Sequence, residues 1–215
     1  MAGLVQSLNL GRAAPNLTRD GGLTGIGKVP VASAVVRAPG PKLTGLGSGL
    51  EGDFIGSMRH HGGDTQAVYA YSREELDRWQ ERLDRIIPSG LFGENLTTEG
   101  IDVDGALIGE RWAVGAEVVL AVEAPRIPCA TFQARMGEKG WVKRFTEVGN
   151  PGAYLSVVAP GTINRGDPIV VISQPEGGID IRTLFRGLTG EPDAMAPNPR
   201  AVNASPRDSG EIAHD

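Results

Sequence analysis

Short β-type segments recur along most of this chain, and glycine or proline punctuates the stretches between them. The clearest segments are 31–37, 66–71, 111–115, 117–124, 153–159 and 168–173. Runs of this length that are rich in β-branched and aromatic residues and bounded by turn residues are typical of strands. The 31 glycines and 15 prolines among 215 residues also require many tight turns. We therefore predict a mainly β fold with peripheral helices, an α+β protein built on a barrel or sandwich.

Three other segments have the apolar spacing of amphipathic helices. They span 72–87, 138–149 and 180–188. The first begins with a capping box formed by Ser72 and Glu75, and Pro88 ends it. Trp79 and Trp141 fall on the apolar faces of the first two helices, so we interpret them as core residues and not as ligand contacts.

Charge and hydropathy exclude several classes of protein. The chain has 21 Lys and Arg against 26 Asp and Glu, a formal charge of −5, and no basic stripe that would neutralise a nucleic-acid backbone. No run approaches the roughly 18 apolar residues that cross a bilayer, and the first residues lack the pattern of a signal peptide. The single cysteine, Cys129, cannot form an intrachain disulfide. We expect a cytoplasmic protein that binds neither nucleic acid nor membrane.

Two familiar motifs are excluded by their context. Residues 47–52, GSGLEG, formally match the dinucleotide fingerprint, but a Pro-rich loop precedes them and no helical pattern follows. The three histidines are His60, His61 and His214, and with one cysteine they do not make a closed zinc site of the ordinary type. We expect neither a Rossmann site nor zinc.

Two polar clusters are candidates for ligand binding. Residues 59–64, RHHGGD, combine a cation, two imidazoles and two glycines, which suits an oxyanion; a plain polar loop explains them equally well. In 92–100, FGENLTTEG, Asn95 offers an amide for recognition, although a simple turn into a strand also accounts for this segment.

The third cluster, 125–132 or PRIPCATF, contains the cysteine. Cys129 follows a predicted strand and precedes a helical turn, and Arg126 supplies a nearby cation that could stabilise a thiolate. A lone cysteine is more often an inert buried side chain. From the residues alone, a metal-free thiol enzyme, in which His60 or His61 activates Cys129 for acyl or alkyl transfer, also stays open.

Taken together, these clusters resemble those of a known family. The stretches GDFIGSMRHHGGDTQAVYAY (52–71), GLFGENLTTEG (90–100), VEAPRIPC (122–129) and INRGDPI (163–169), in this order, are similar to MOSC-domain proteins. That family is named after the C-terminal domain of molybdenum cofactor sulfurases. Within it, the chain resembles the stand-alone bacterial YiiM-like subgroup. The resemblance implies a MOSC-type β-barrel over residues 1–175.

The resemblance also implies a cofactor and its ligands. A molybdopterin-type cofactor would be bound with Cys129 bonded to molybdenum, which needs only one soft protein ligand because the pterin supplies the others. The residues expected to contact the cofactor are Arg59, His60, His61, Gly62, Asn95, Arg126 and Lys28. Pyridoxal phosphate is not expected, because the chain has no room for the domain that carries it in the sulfurases.

The implied activity is reduction of small N-hydroxylated compounds, of the 6-hydroxylaminopurine type. His61 or His60 would donate the proton. A separate reductase would supply electrons, because the chain has no flavin, haem or iron–sulfur motif. The alternative is a non-catalytic carrier of molybdenum cofactor, or of sulfur as a Cys129 persulfide.

The C-terminal part departs from the subgroup. Residues 176–191 resemble only the beginning of its helical extension, and 192–215 are polar and aperiodic, so we predict a short helical remnant followed by a disordered tail. If the complete extension contributes to a homodimer or to docking of the reductase, its shortening here weakens the expectation of both.

Overall fold

The computed structural model describes residues 2–19 and 21–190. The strands are β1 (Gly3–Gly11), β2 (Ala14–Pro15), β3 (Leu23–Thr24), β4 (Lys28–Val31), β5 (Ser33–Val36), β6 (Val68–Ser72), β7 (Leu96–Glu99), β8 (Arg111–Val114), β9 (Val118–Pro125), β10 (Ala153–Ala159), β11 (Gly161–Asn164) and β12 (Pro168–Ser173). The helices are α1 (Arg73–Leu83), α2 (Ala130–Met136), α3 (Trp141–Val148) and α4 (Ile181–Leu188), with a 3₁₀ turn at Asp64–Gln66.

Seven of these strands close into a barrel. Their order is β12-β8-β9-β10-β6-β7-β1, and pairing of β1 with β12 completes the circle. The barrel pairs are antiparallel except β6 and β7, which run parallel, and β4 extends the sheet beyond β1. Closure removes the open edges that would otherwise pair with other chains. The predicted mainly β barrel with peripheral helices is confirmed.

The hydrophobic core has two parts, one inside the barrel and one between the barrel and the helices. Inside the barrel, alternate strand residues such as Val5, Leu120 and Leu155 are fully buried. Beneath α1, α2 and α3 lies an aromatic cluster, in which the rings of Trp79 and Trp141 are 4.5 Å apart between centroids. Both tryptophans are therefore core residues, as their helical spacing predicted.

Two features differ from the sequence-based prediction. Strand β1 was not predicted, because its buried Ser7 and Asn9 interrupt the apolar alternation; the Ser7 hydroxyl donates to Asn9 Oδ1 at 2.8 Å. Helix α1 ends at Leu83 rather than 87, because Asp84 adopts the left-handed conformation with φ 47° and closes the helix with its backbone N–H. Ile87 is still buried, so its apolar character reflects packing after the helix.

The C-terminal helix packs on the barrel. Ile181 and Phe185 are fully buried, and the Ile181 amide donates to the Ala106 carbonyl at 3.0 Å. The predicted helix at 180–188 is thus confirmed, whereas the division into 1–175, 176–191 and 192–215 stays a prediction. The predicted disordered tail and His214 lie outside the described residues. Within the described part of the chain, no helix has the length and apolar character needed to traverse a membrane.

Candidate active site

A single cavity of about 540 Å³ brings the three polar clusters together. The predicted residues that line it are Lys28, His60, His61, Gly62, Asn95, Arg126 and Cys129. They come from the start of β4, from the loops before the 3₁₀ turn and before β7, and from the connection between β9 and α2. Arg59 is exposed and does not line the cavity. Seven of the eight predicted residues therefore meet around one space.

Cys129 is held at the junction between strand and helix. Strand β9 ends at Pro125, and Cys129 is the extended residue that precedes α2, with φ −135° and ψ 172°. Its side chain is a free, half-buried thiol that does not cap the helix. The Cys129 carbonyl accepts the Gln133 amide at 3.0 Å, which fixes the backbone. The thiol is thereby presented to the cavity from rigid elements.

Arg126 is a buried cation beside this cysteine. It is 5% exposed, its Nη1 donates to the Phe92 carbonyl at 2.8 Å, and its guanidinium carbon lies 3.6 Å from the Phe132 ring centroid. Among the described residues, no carboxylate lies within ion-pairing distance of it. Because a buried charge is costly without a counter-charge, the cavity is suited to an anionic ligand.

Lys28 has a partner that sequence reasoning missed. Its ammonium forms an ion pair with Asp53, whose side chain has no exposed area. Asp53 also accepts hydrogen bonds from the Gly11 amide at 2.6 Å and from the Ser48 hydroxyl at 2.7 Å. In the sequence, Asp53 stands in a long Gly-rich loop, and only its position just before the RHHGGD segment could have drawn attention to it.

The side-chain amide of Asn95 forms hydrogen bonds with other groups of the protein. Its Oδ1 accepts from the Tyr69 amide at 3.1 Å, and its Nδ2 donates to Asn9 O at 3.3 Å and to Asp53 Oδ2 at 3.0 Å. These bonds occupy the amide oxygen and both N–H donors. Asn95 therefore shapes the cavity wall by joining three segments, rather than offering a free amide as the sequence suggested.

The neighbouring Glu94 has a buried carboxyl that stabilises the turn between residues 90 and 97. Its Oε1 accepts from the Gly90 amide and from the Thr97 hydroxyl at 2.9 Å, while Oε2 is buried without a partner among the described residues. Burial raises the pKa of Glu94. The alternative prediction of a turn leading into a strand is also correct here, because β7 begins at Leu96.

The histidine loop is held by glycine geometry. Gly62 has φ 78°, and a Cβ on it would lie 2.5 Å from the Gly47 carbonyl oxygen. Gly47 belongs to the GSGLEG segment, and its carbonyl accepts the Gly63 amide at 2.9 Å, which joins that loop to the histidine loop. Burial, then the charges of Arg126 and Lys42, lower the pKa of His61, so its imidazole is neutral at pH 7. His60 is exposed at the cavity mouth.

Two tyrosines complete the wall and were not predicted as site residues. The Tyr69 hydroxyl donates to the Pro151 carbonyl at 2.7 Å, and burial raises the pKa of Tyr154. Both line the cavity, so a protonated phenol is present near the thiol at neutral pH. Their alternation within two predicted strands, β6 and β10, was the signal available in the sequence.

The comparison with family models decides the assignment of the chain. The model of the MOSC domain matches residues 57–170, which include the histidine loop, the GENLT turn and Cys129. The chain belongs to the MOSC domain family. MOSC domains are associated with binding of the molybdenum cofactor.

Relatives of this MOSC protein include bacterial and fungal chains. It is 33% identical over 184 residues to YflK of Bacillus subtilis (strain 168), covering 85% of this chain and 79% of YflK. It is 30% identical over 151 residues to YiiM of Escherichia coli (strain K12), covering 67% of this chain and 65% of YiiM. A protein of Gibberella moniliformis named "Reductase" is 30% identical over 131 residues, 60% of this chain and 23% of that protein.

Solved structures share the fold of this MOSC protein. YiiM from Geobacillus stearothermophilus superposes with a TM-score of 0.70 at 25% identity, covering 93% of this chain and 88% of that one. YiiM from Escherichia coli gives a TM-score of 0.59 at 23% identity, over 75% and 72% of the two chains. The expected likeness to MOSC proteins of the YiiM type is confirmed.

The residues around the cavity fit the group that this family implies. No three His, Cys, Asp or Glu side chains come together as metal ligands within residues 2–19 and 21–190. A metal in this cavity would accordingly take Cys129 as its protein ligand and its other ligands from a cofactor. The buried guanidinium of Arg126 suits the negative charge of a phosphate-bearing dithiolene group.

Proposed function

We propose that this protein binds a molybdenum cofactor in the cavity through Cys129 and reduces N-hydroxylated small molecules there. One observation carries the proposal: a free thiol lines the same cavity as a buried cation that has no carboxylate partner among the described residues. A soft thiolate and a counter-charge are what an anionic, metal-bearing cofactor requires. When bound, the cofactor would supply two-electron chemistry at the N–O bond.

Different residues that line the cavity would have different roles in binding the cofactor. Cys129 would provide the thiolate ligand, and Arg126 would offset negative charge next to it. Gly62 lines the cavity, and its backbone is held close to Gly47, where a Cβ would lie 2.5 Å from the carbonyl oxygen. Phe92 and Tyr154 add apolar and phenolic surface that excludes water from part of the cavity.

The histidines would supply the hydrogen-bond donor that a substrate hydroxyl group needs, since both line the cavity. His61, neutral at pH 7, can donate one ring N–H to the hydroxyl oxygen, and an anionic ligand nearby would raise its pKa and favour the protonated form. His60, at the exposed mouth, can exchange protons with solvent. The proton needed to release the oxygen as water would then reach the cavity through this loop.

Electrons would come from a separate reductase, because the described part of the chain holds no second redox motif. A carrier protein that holds the cofactor, or a Cys129 persulfide, without turnover is the competing proposal. The cavity favours an enzyme, since about 540 Å³ with an open mouth leaves access for a small molecule beside the thiol.

Metal and pterin analysis tests the proposal. The full chain, made in a host that synthesises molybdenum cofactor, is compared with Cys129→Ala and with Ser57→Ala as the matched control. Ser57 lines the same cavity, and its hydroxyl has no hydrogen bond within the described structure. We expect near-stoichiometric molybdenum and pterin in the wild type and in Ser57→Ala, and a loss of molybdenum in Cys129→Ala.

Turnover then separates the enzyme from the carrier. With reduced viologen as donor and 6-hydroxylaminopurine as substrate, an enzyme gives many product molecules per cofactor, and a carrier gives at most one. Wild-type protein that is folded yet free of molybdenum and pterin would refute the proposal and direct attention to Cys129 as a nucleophile.

A further inference from the structure

Only two cations are buried among the described residues, and both line the cavity. Lys28 is 8% exposed and Arg126 is 5% exposed. Burying a charge is costly unless an opposite charge compensates it. How each cation is compensated therefore decides where in the cavity an anionic group binds.

Lys28 is already neutralised from within the protein. Its ammonium pairs with Asp53, and the carboxylate receives three more hydrogen bonds, from the Gly11 amide, the Ser48 hydroxyl and the Asn95 amide at 2.6, 2.7 and 3.0 Å. Four donors therefore converge on one fully buried carboxylate and fix its position. Any anion that approached Lys28 would also meet this negative charge.

Arg126 has no such internal partner in residues 2–19 and 21–190. One N–H bonds to the Phe92 carbonyl, and the guanidinium carbon lies 3.6 Å and 5.3 Å from the ring centroids of Phe132 and Tyr69. Carbonyl and aromatic contacts orient the guanidinium without pairing it with a carboxylate. The charge of Arg126 acts on the buried Glu94, but burial still raises the pKa of that carboxyl and favours its neutral form. The N–H donors of a guanidinium form a planar array that fits an oxyanion, and Arg126 lines the cavity.

We propose that Asp53 is a positioning residue that cancels the charge of Lys28, so that the anionic group of the ligand binds at Arg126. The chemical class is an oxyanion, such as a phosphate group. This inference rests on the proposed function only for the premise that the cavity takes an anionic ligand. It further assigns the Lys28 end of the cavity to parts of the ligand that carry no net charge.

Phosphate binding to the full chain made without cofactor tests this assignment. Isothermal titration calorimetry with inorganic phosphate at low ionic strength compares wild type, Arg126→Met, Lys28→Met and Asp53→Asn. We expect Arg126→Met to weaken binding by roughly tenfold or more, and Lys28→Met to change it by less than about threefold. Asp53→Asn should strengthen binding by about threefold or more, because the freed ammonium then attracts anions.

A gain of affinity in Asp53→Asn distinguishes charge cancellation from a purely structural role, since structural damage would only weaken binding. Lys28→Met leaves Asp53 unpaired and could fail to fold, so the double variant Lys28→Met with Asp53→Asn repeats the test without either charge. It should bind phosphate like the wild type, and thermal unfolding verifies that each variant is folded.

The proposal is overturned if loss of Lys28 in the double variant weakens phosphate binding as much as loss of Arg126. Unchanged affinity in Asp53→Asn, or wild-type binding no tighter than that of Arg126→Met, would overturn it as well. Failure of the proposed function is distinguishable, because it would show as absent molybdenum while the ranking of phosphate affinities still held.

Discussion

Arg126 and Phe132 stand three residues on either side of Cys129 and contact each other, with the guanidinium carbon 3.6 Å from the ring centroid. Phe132 is fully buried, and its ring meets the Phe92 ring edge-on at 5.0 Å between centroids. The contact joins the end of β9 to α2 across the segment that carries the thiol. The orientation of Cys129 thus depends on aromatic packing beneath the helices.

Phe132→Ala should destabilise the fold substantially. Removing a fully buried ring leaves a cavity in the aromatic cluster and removes the ring that contacts the Arg126 guanidinium. Together these losses should lower the free energy of unfolding by about 3–5 kcal/mol. Urea denaturation followed by tryptophan fluorescence measures the change. Leu188→Ala is the control, since this exposed side chain should contribute within about 0.5 kcal/mol; equal effects of the two variants would contradict the packing argument.

His61 should titrate below the ordinary range of histidine. Burial and the charges of Arg126 and Lys42 favour the neutral ring, so NMR titration of the ring protons should give a pKa lower than 6.5. Added phosphate should raise this pKa, and so should Arg126→Met, because each reduces positive charge near the ring. The His61→Gln variant assigns the resonance, and a pKa at or above 6.5 without phosphate would contradict the expectation.

The same lowered pKa has a consequence for stability. The unfolded chain binds the proton more tightly than the folded protein, so the His61 contribution is present above about pH 6.5 and is lost as the pH falls. Unfolding free energies of wild type and His61→Gln, measured from pH 8 to pH 5, should therefore show that the wild type loses stability relative to the variant as the pH falls. Parallel curves would show that His61 is not desolvated.

Asp104 should give the opposite pH dependence. Burial raises the pKa of this carboxyl to about 7, although its Oδ1 accepts the Gly152 amide at 2.8 Å. Because the folded pKa exceeds the unfolded value, the stabilising contribution is present at low pH and is lost as the pH rises through about 7. Asp104→Asn should make the unfolding free energy depend less on pH between pH 5 and pH 8. The difference in unfolding free energy between wild type and variant should change by up to about 2–4 kcal/mol over this range. If the unfolding free energies of the two proteins, measured by urea denaturation, depended identically on pH, the expectation would be contradicted.

Gly62→Ala should cost more than its matched control Gly177→Ala. Both glycines have positive φ, 78° and 64°, but a Cβ at Gly62 would lie 2.5 Å from the Gly47 carbonyl oxygen, whereas nothing lies within 4 Å at Gly177. Each variant should lose about 1 kcal/mol from backbone strain, and Gly62→Ala should lose about 1–3 kcal/mol more from displacement of the loop. Thermal and urea unfolding measure the difference, and equal losses would mean that the loop moves freely.

The sequence by itself determined the strand-rich architecture, because period-two apolar segments can be buried only when strands pair and close. It also identified three polar clusters whose order matched one family, and it placed Cys129 between a strand and a helix. These features are local in the chain, so neighbouring residues reveal them. Strand β1 escaped prediction because its buried Ser7 and Asn9 are satisfied by each other and by Thr97, a partner far along the chain.

Only the tertiary structure decided what each polar residue does. It left Arg59 outside the cavity, used the amide of Asn95 to join three segments, and paired Lys28 with Asp53, which lies 25 residues away. The physical reason is that a buried charge or amide takes its role from the groups that compensate it, and folding brings those groups from distant parts of the chain. In the proposal, Arg126 would meet the anionic ligand, because among the described residues it is the buried cation that forms no ion pair.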